Sequence, residues 1–326
     1  MQKIRIGIIG GAGYTAGELL RLLINHPAAD IVFIHSSSQA GLPVTSVHSG
    51  LYGETNLVFA SDYDLNAIDV LFLCSGHGAS TAFWQESARH EGLKVIDLAQ
   101  DYRDEAEGYV YGLPEWQREK IQSATLVANP GCFATAIQLA LLPLAAAGLL
   151  TDDINVTAIT GSTGAGVKPS ATTHFSWRNN NLSAYKVFEH QHLKEIGRDL
   201  ALLQAKAGND SLPAIHFVPV RGDFARGIFA SVYTRCPLSA EEATALYNDY
   251  YRDAAFTFVF DRSVDLKQVV NTNKCLLSIE KHDDQLVIAS VIDNLLKGAS
   301  GQAVQNMNLL FGLDEHTGLR LKASAF

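Results

Sequence analysis

The sequence contains few of the residues that mark several other classes of protein. It has only four cysteines, which lie far apart and form no C-x-x-C pair: Cys74, Cys132, Cys236 and Cys275. This spacing predicts neither a disulfide framework nor a zinc site, and it is typical of a protein of the reducing cytoplasm.

Basic residues are also scarce, since 25 Lys and Arg stand against 34 Asp and Glu, a net charge of −9. A surface of this sign disfavours nucleic acid or an anionic membrane as the main partner, and we expect neither. The apolar stretch Ile4 to Ile9 is short and runs into glycines, so it predicts a strand rather than a signal peptide or a membrane span. With 326 residues and no repeat, low-complexity segment or long linker, the chain predicts two closely joined domains.

The amino terminus carries a glycine-rich fingerprint. A strand over Lys3 to Ile9 leads into GGAGYTAGELLRLL, a helix follows at once, and a second strand covers Ile31 to Ile34. Glycines at such a turn let a pyrophosphate approach the backbone, and the helix N-terminus supplies N–H groups and a positive dipole. The predicted cofactor-binding residues of this turn are Gly10, Gly11, Gly13, Tyr14, Thr15 and Ala16.

The end of the second strand indicates which cofactor binds. An NAD enzyme usually places an acid there for the ribose hydroxyls, whereas this chain has Ser36, Ser37 and Ser38. Hydroxyl groups suit a 2′-phosphate, so we expect NADPH/NADP. A later strand, Val70 to Cys74, ends at Ser75-Gly76-His77, another expected cofactor contact; His77 is either catalytic or a packing residue of this turn.

A cysteine opens the helix after the strand Leu126 to Ala128. Asn129-Pro130-Gly131 stops the strand, and the run after Cys132 has helical apolar spacing. A helix N-terminus favours the nucleophilic thiolate, although a small buried apolar cysteine is the alternative interpretation. Beside a nicotinamide, such a cysteine would carry an acyl group as a thioester, which predicts an aldehyde dehydrogenase or acyl-phosphate reductase.

Acid/base and anion-binding candidates follow in the second half. His190 and His192 precede or begin a helix, and Glu195 would orient an imidazole or cap that helix. No third ligand stands near this His-x-His pair, so no metal is expected. The candidates for binding substrate oxygens are Arg103, Arg221, Arg226 and the turn Thr160 to Gly166, which includes Ser162. The alternative interpretation of this turn is that it is only a flexible connection.

The pattern after Cys132 predicts a second domain with an antiparallel or mixed sheet, so the fold class is α/β with a Rossmann-type parallel sheet domain plus an α+β domain. Its predicted strands are 154–160, 215–220, 227–234, 256–260, 275–279 and 286–292. The predicted helices are 190–205, 240–253 and 299–311. We expect the last helix to return to the first domain, giving a cofactor domain of residues 1–130 and 295–326 and a catalytic, substrate-binding and oligomerisation domain of residues 131–294.

Several motifs in one order resemble those of the N-acetyl-gamma-glutamyl-phosphate reductases of arginine biosynthesis, relatives of aspartate-semialdehyde dehydrogenase. GGAGYTAGELLRLL is similar to GATGYTGxELLRLL, DLAQDYR to DLSxDFR, and NPGCFATA to NPGCYPTA. YGLPE is shared, HQHLKEI resembles HRHxPEI, FVPVRGDFARGI resembles FTPHLxPxxRGI, and DNLLKGASGQAVQNMN resembles a cofactor-contacting helix. The resemblance covers nearly the whole chain.

The resemblance implies a cytoplasmic homodimer or homotetramer that reduces an N-acyl-gamma-glutamyl phosphate with NADPH and releases phosphate. It implies Cys132 as nucleophile and His190 or His192 as acid/base, the choice being open. The implied substrate-binding residues are Arg103, Ser162, Tyr185, Glu195 and Arg226. The implied further cofactor contacts are Ser75, Gly76, Pro130, Asn294, Lys297 and Gly298.

Departures from the family pattern leave the acyl group open. Gln191 replaces an arginine, Lys194 a proline and Val220 a histidine. N-succinyl-glutamyl phosphate, aspartate semialdehyde and a carrier-protein-linked glutamyl or aminoadipyl phosphate are therefore alternative substrates. A cofactor-sensing regulator without turnover is the alternative from another class.

Overall fold

The computed structural model describes residues 3–76 and 78–324, so His77 lies outside the described residues. The chain divides into two compact units. The first comprises Met1–Pro130 with Ala299–Arg320, and the second comprises Gly131–Gly298 with Leu321–Phe326.

The first unit is built on a six-stranded sheet of order β2-β1-β3-β4-β6-β5 in which every strand pair is parallel. Its strands are β1 Ile4–Ile9, β2 Ala29–His35, β3 Val70–Leu73, β4 Lys94–Asp97, β5 Val110–Tyr111 and β6 Leu126–Ala128. Its helices are α1 Tyr14–Leu23, α2 Ala79–Glu86, α3 Pro114–Ser123 and, from the carboxyl-terminal segment, α8 Gly301–Leu310. The central strands β1 and β3 are apolar and almost fully buried, as a parallel sheet covered on both faces requires.

Local chemistry explains the bounds of two helices in this unit. The helix α2 ends at Glu86, and Ser87 after it has extended backbone angles. The segment EGLKV that follows supplies no helical apolar spacing. The helix α3 begins with Pro114 in its first turn, where the missing N–H has no helical partner in any case.

The second unit is built on a seven-stranded mixed sheet of order β11-β12-β13-β10-β7-β9-β8. Its strands are β7 Ile154–Thr160, β8 Ser183–Ala184, β9 Ile215–Arg221, β10 Ile228–Arg235, β11 Thr257–Val259, β12 Cys275–His282 and β13 Gln285–Ile292. Its helices are α4 Cys132–Ala146, α5 Phe175–Arg178, α6 His192–Lys206 and α7 Ala240–Tyr250, with a π-helical turn at Leu296–Ser300. β7 and β9 pair in parallel and β10 pairs antiparallel with β7 and β13, so the predicted fold class is confirmed.

Helix α4 forms the buried centre of the second unit. Every residue from Phe133 to Ala145 is buried, although Pro143 lies inside the helix. Proline cannot donate to the carbonyl four residues earlier, which is that of Leu139. The Tyr251 hydroxyl donates to this carbonyl at 2.5 Å, so tertiary packing supplies the missing hydrogen bond.

Among residues 3–76 and 78–324, no helix has the length and apolar character needed to cross a membrane.

Candidate active site

Cys132 lies at the start of α4, as the sequence predicted, and its side chain is partly exposed. Gly131 occupies the N-cap position, and no acidic residue stands in the first turn. The backbone N–H of Gly131 donates to Glu195 Oε2 at 3.1 Å. Glu195 is in the first turn of α6, so its carboxylate joins the start of one helix to the start of another.

Gly298 packs directly against the cysteine. A Cβ atom built on Gly298 would lie 2.8 Å from Cys132 Cβ and 3.2 Å from Cys132 Cα. The Gly298 N–H also donates to the Asp293 carbonyl at 2.9 Å, which fixes the turn. Glycine is therefore required here because the backbone of another segment occupies the space of a side chain.

The two histidines lie next to each other beside Phe133. The rings of His190 and His192 are 4.6 Å apart between centroids, and the ring of Phe133 lies 5.4 Å from His190 and 6.2 Å from His192. His192 Nε2 is 3.8 Å from Glu195 Oε1. Cys132 is the neighbour of Phe133 in the chain, so the two histidines lie against the first turn of the helix that the predicted nucleophile begins.

His190 is held as a neutral ring. Its Nδ1 accepts the backbone N–H of His192 at 3.3 Å, which places the proton of the neutral imidazole on Nε2. Burial lowers the pKa of His190 to about 4, and the positive charges of Lys186 and Arg221 act in the same direction. His190 thus presents a hydrogen-bond donor at neutral pH.

Tyr185 lies between this cluster and a guanidinium group. Its ring is 5.8 Å from His190, and the guanidinium carbon of Arg221 lies 4.6 Å from its ring centroid. Burial raises the pKa of Tyr185; the Arg221 charge lowers it, and the Cys132 charge raises it. The segment from Tyr185 to His190 includes Lys186 and Phe188 with positive φ angles of 47° and 61°, a backbone conformation that is strained for residues other than glycine.

The remaining predicted residues of this unit lie around Asp293. Arg226 pairs with the Asp293 carboxylate at 3.1 Å. Asn294 accepts from the Gly227 N–H at 2.7 Å and donates to Thr163 Oγ1 at 3.0 Å. Arg226 and Asn294 thus support the fold as well, and their binding roles stay predictions.

Two more predicted residues have contrasting environments. Ser162 begins a short 3₁₀ helix, Ser162–Ala165, which replaces the flexible turn of the alternative interpretation. Lys297 lies in the π-helical turn and is fully buried.

In the first unit, β1 ends at the glycine turn and α1 begins directly after it. A Cβ on Gly10 would clash with the backbone of Cys74 at 2.8 Å, and one on Gly11 would lie 2.4 Å from Ile34 Cγ2. At Gly13, the N-cap of α1, the nearest atom to such a Cβ is 3.7 Å away. Packing therefore requires the first two glycines, whereas Gly13 leaves the helix N-terminus open to a phosphate group.

The other residues predicted for the cofactor lie at the carboxyl ends of the strands in this unit. Ser37 and Ser38 follow β2 and are exposed, while Ser36 is buried. Ser75 is half-buried and Gly76 is exposed, directly after β3. Tyr14, Thr15 and Ala16 form the first turn of α1, and Ala16 is buried.

Arg103 is buried and bonds to backbone. Its Nε donates to the Asn129 carbonyl at 2.9 Å, and its Nη2 donates to the Leu98 carbonyl at 3.1 Å. The Asn129 side chain in turn accepts from Asn306 at 3.1 Å. These bonds fix the chain before Pro130, which is buried, and substrate binding by Arg103 stays a prediction.

Sequence reasoning missed two residues that support the first unit's loops. His48 Nε2 bonds to the Gly11 carbonyl at 2.8 Å, and a Cβ on Gly17 would lie 2.6 Å from its ring. Asp101 accepts the N–H groups of Gly78 and Ser80 at 2.7 and 3.1 Å, so a carboxylate already occupies the start of α2. No local pattern predicts either contact, because each joins distant segments.

Within the described ranges no cluster of three His, Cys, Asp or Glu could hold a metal ion.

Two family models match the chain. Residues 5–124 match the NAD-binding domain of semialdehyde dehydrogenases, and residues 132–294 match the semialdehyde dehydrogenase dimerisation domain.

Solved structures agree on the fold. Aspartate semialdehyde dehydrogenase II of Vibrio cholerae, complexed with ASA, has a TM-score of 0.74 at 19% identity over 96% of this chain and 99% of that one. The enzyme of Candida albicans, solved with NADP, has a TM-score of 0.70 at 14% identity over 95% and 99%. Fold and site thus define a nicotinamide-dependent oxidoreductase of the semialdehyde dehydrogenase class.

Full-length relatives narrow the family. Proteins named N-acetyl-gamma-glutamyl-phosphate reductase from Phocaeicola vulgatus and Azobacteroides pseudotrichonymphae are 59% and 58% identical, each over 99% of this chain and 100% of the relative. One from Flavobacterium johnsoniae is 51% identical over the same shares. The chain therefore belongs to the N-acetyl-gamma-glutamyl-phosphate reductase family, as the resemblance of its motifs indicated.

Proposed function

We propose that the protein reduces N-acetyl-gamma-glutamyl phosphate to N-acetyl-glutamate semialdehyde and releases phosphate, through a thioester on Cys132. The observation that carries this proposal is the cluster in which Cys132 begins α4 while Glu195 joins the start of that helix to His192. The names of the relatives support the substrate. N-succinyl-glutamyl phosphate is the alternative substrate, because it differs only in the acyl group.

Cys132 performs the first step. Its thiolate attacks the acyl carbon, the bond from that carbon to the phosphate oxygen breaks, and phosphate leaves with the electron pair. The N-terminal dipole of α4 stabilises the thiolate. When bound in the first unit, NADPH would supply the hydride that takes the thioester to the aldehyde level.

We assign the proton transfer to His192. His190 is kept neutral with its proton on Nε2, so it donates a hydrogen bond to the oxygen that gains negative charge. The Nε2 atom of His192 lies 3.8 Å from the Glu195 carboxylate, an arrangement in which a carboxylate orients a histidine that acts as acid and base. The proton given to the thiohemiacetal oxygen returns to His192 when the carbon–sulfur bond breaks and the thiolate is restored.

The first unit is proposed to bind NADPH rather than NADH. Gly13 leaves the α1 N-terminus open, and no carboxylate occupies the first turn of that helix. The exposed Ser37 and Ser38 after β2 offer hydroxyl groups where an NAD enzyme has an acid. These residues suit a phosphorylated ribose, and the proposed setting is the cytoplasm.

We also infer that a second copy of the chain covers the outer face of the mixed sheet. On this face Ile159, Phe229 and Leu276 lie in one cross-strand row with Val291. A groove of about 780 Å³ opens beside this row. The model matched by residues 132–294 is described as a dimerisation domain, which supports a homodimer built on this face, alone or within a homotetramer.

Reverse turnover tests the reaction and the substrate. NADPH formation is measured with N-acetyl-glutamate, N-succinyl-glutamate and aspartate semialdehydes, each with and without phosphate. The proposal expects phosphate-dependent turnover with N-acetyl-glutamate semialdehyde and none in Cys132→Ser. Turnover with aspartate semialdehyde alone contradicts the substrate, and cofactor binding without turnover of any of the three favours a carrier-linked substrate or a sensor.

A further inference from the structure

Arg221 ends β9 with its side chain partly buried beside the reactive cluster. Its guanidinium lies 4.6 Å from the centroid of the Tyr185 ring, a distance typical of a stacked arginine. Contact with the ring restrains the guanidinium, whose N–H donors match the oxygens of a planar anion.

Arg221 differs from the other inward-lying arginines of this unit. Arg226 pairs with Asp293, and Arg178 donates four hydrogen bonds to backbone and hydroxyl oxygens. The Nε atoms of Arg178 and Arg221 are both buried without a hydrogen-bond partner. Within the described ranges, however, the Arg221 guanidinium has neither the carbonyl partners of Arg178 nor a carboxylate partner like that of Arg226. A buried donor of a charged group without an acceptor is costly unless a ligand supplies the acceptor.

The charge of Arg221 reaches the groups that react. Burial lowers the pKa of His190, and the charges of Lys186 and Arg221 add to this effect. Burial raises the pKa of Tyr185, the charge of Arg221 opposes this rise, and the charge of Cys132 adds to it. Arg221 and Cys132 therefore both lie within the range over which charges interact with Tyr185 in a partly desolvated site.

We propose that Arg221 binds an oxyanion of the substrate, either the phosphoryl group or a carboxylate, with Tyr185 as the surface on which the guanidinium is held. This inference rests on the proposed function, since every candidate substrate carries both kinds of group. Arg221 is then a substrate-binding residue that selects acidic substrates.

The test separates the two anions by measuring initial rates in the reverse direction while phosphate and semialdehyde are varied independently. Arg221→Met keeps the aliphatic packing on Tyr185 and removes the charge, and Arg221→Lys keeps the charge without the planar fork. Arg235→Met, an exposed arginine at the end of β10, is the matched control. A charged hydrogen bond of about 1.5–3 kcal/mol predicts a KM increase of about 10- to 150-fold for one anion in Arg221→Met.

Each outcome has a defined meaning. A raised KM for phosphate shows that Arg221 binds the phosphoryl group. A raised KM for the semialdehyde shows that Arg221 binds a carboxylate of the substrate. If the KM rises only for the N-succinyl semialdehyde, the bound carboxylate is the one in the succinyl group. KM values within twofold of wild type for both reactants, or a loss of kcat alone, overturn the proposal. If Arg221→Met does not fold, Arg221→Lys decides by the same criterion, with an increase of at least about fivefold expected.

Failure of the proposed function gives a different result. If wild type turns over none of the semialdehydes, the binding of inorganic phosphate, N-acetylglutamate and N-succinylglutamate is measured by calorimetry in wild type and Arg221→Met. Weaker binding of at least one anion in the variant supports the role of Arg221, and equal or undetectable binding in both proteins contradicts it.

Discussion

Gly298→Ala is expected to displace the reactive cysteine without changing any chemical group of the site. The new methyl carbon would lie 2.8 Å from Cys132 Cβ, whereas carbon atoms in contact are ordinarily about 3.5–4.0 Å apart. The two segments must therefore separate by about 0.7–1 Å. Asp293 holds the Gly298 N–H and α4 is fully buried behind Cys132, so neither segment moves freely.

The expected cost has two parts. Insertion of a methyl group into a packed site destabilises a protein by about 1–3 kcal/mol. A displacement of about 1 Å at a reacting group lowers kcat/KM about 100-fold, equivalent to about 2.7 kcal/mol of transition-state stabilisation. The midpoint of urea unfolding measures the loss of folding stability, and reverse turnover measures the loss of kcat/KM.

Gly197→Ala is the matched control. Gly197 lies in α6, and a Cβ built there meets no atom within 4 Å, so alanine should stabilise the helix by about 0.5–1 kcal/mol and leave kcat/KM unchanged. The reasoning is refuted if Gly298→Ala retains at least half of the wild-type kcat/KM. An equal loss in Gly197→Ala would show that the effect does not arise from contact with Cys132.

Three further predictions follow from the same geometry. Glu195→Gln keeps an acceptor for the Gly131 N–H but removes the charge beside His192, so kcat should fall about 10- to 100-fold with little change in KM; unchanged kcat contradicts the assigned role. Because native His190 titrates near pH 4 and an unfolded histidine near 6.5, the unfolded state binds more protons between these values, and stability falls as pH falls through this window. In His190→Gln, the free energy of urea unfolding should therefore fall less between pH 6.5 and pH 5 than it does in wild type. An equal fall in the two proteins contradicts this prediction. Phe229→Lys places a charge on the proposed dimer face and should convert the proposed dimer to a monomer, as measured by light scattering. Leu202→Lys, at an exposed position of α6, is the control and should leave the dimer intact. A dimer that persists in Phe229→Lys places the interface elsewhere.

The sequence predicted the elements whose signals are local. The turn Asn129-Pro130-Gly131 stops a strand and begins a helix, so Cys132 could be placed at a helix start without any tertiary information. The isoleucine-rich β1 and the glycine turn likewise predicted the parallel sheet, because buried strands and phosphate-binding turns have characteristic compositions.

Contacts between distant segments could not be predicted. Glu195 was expected to act within its own helix or on a histidine, yet it also bonds to Gly131 at the start of α4. The contact of Gly298 with Cys132 joins two turns that are far apart in the chain. Such contacts depend on strand order and helix packing, which local composition does not determine.

The Arg221 environment illustrates the same limit. Three arginines near strand ends were equivalent candidates for anion binding from the sequence, namely Arg103, Arg221 and Arg226. The structure separates them by their partners, because Arg103 bonds to carbonyl oxygens, Arg226 pairs with Asp293, and Arg221 lies over the ring of Tyr185.

Trapping the acyl-enzyme tests the central claim most directly. The protein is incubated with NADP and N-acetyl-glutamate semialdehyde in the absence of phosphate, and its intact mass and peptides are then measured. The account predicts an N-acetylglutamyl group on Cys132 that disappears when phosphate is added and does not form in Cys132→Ser. Turnover with no adduct on Cys132, or with an adduct on another residue, would contradict it.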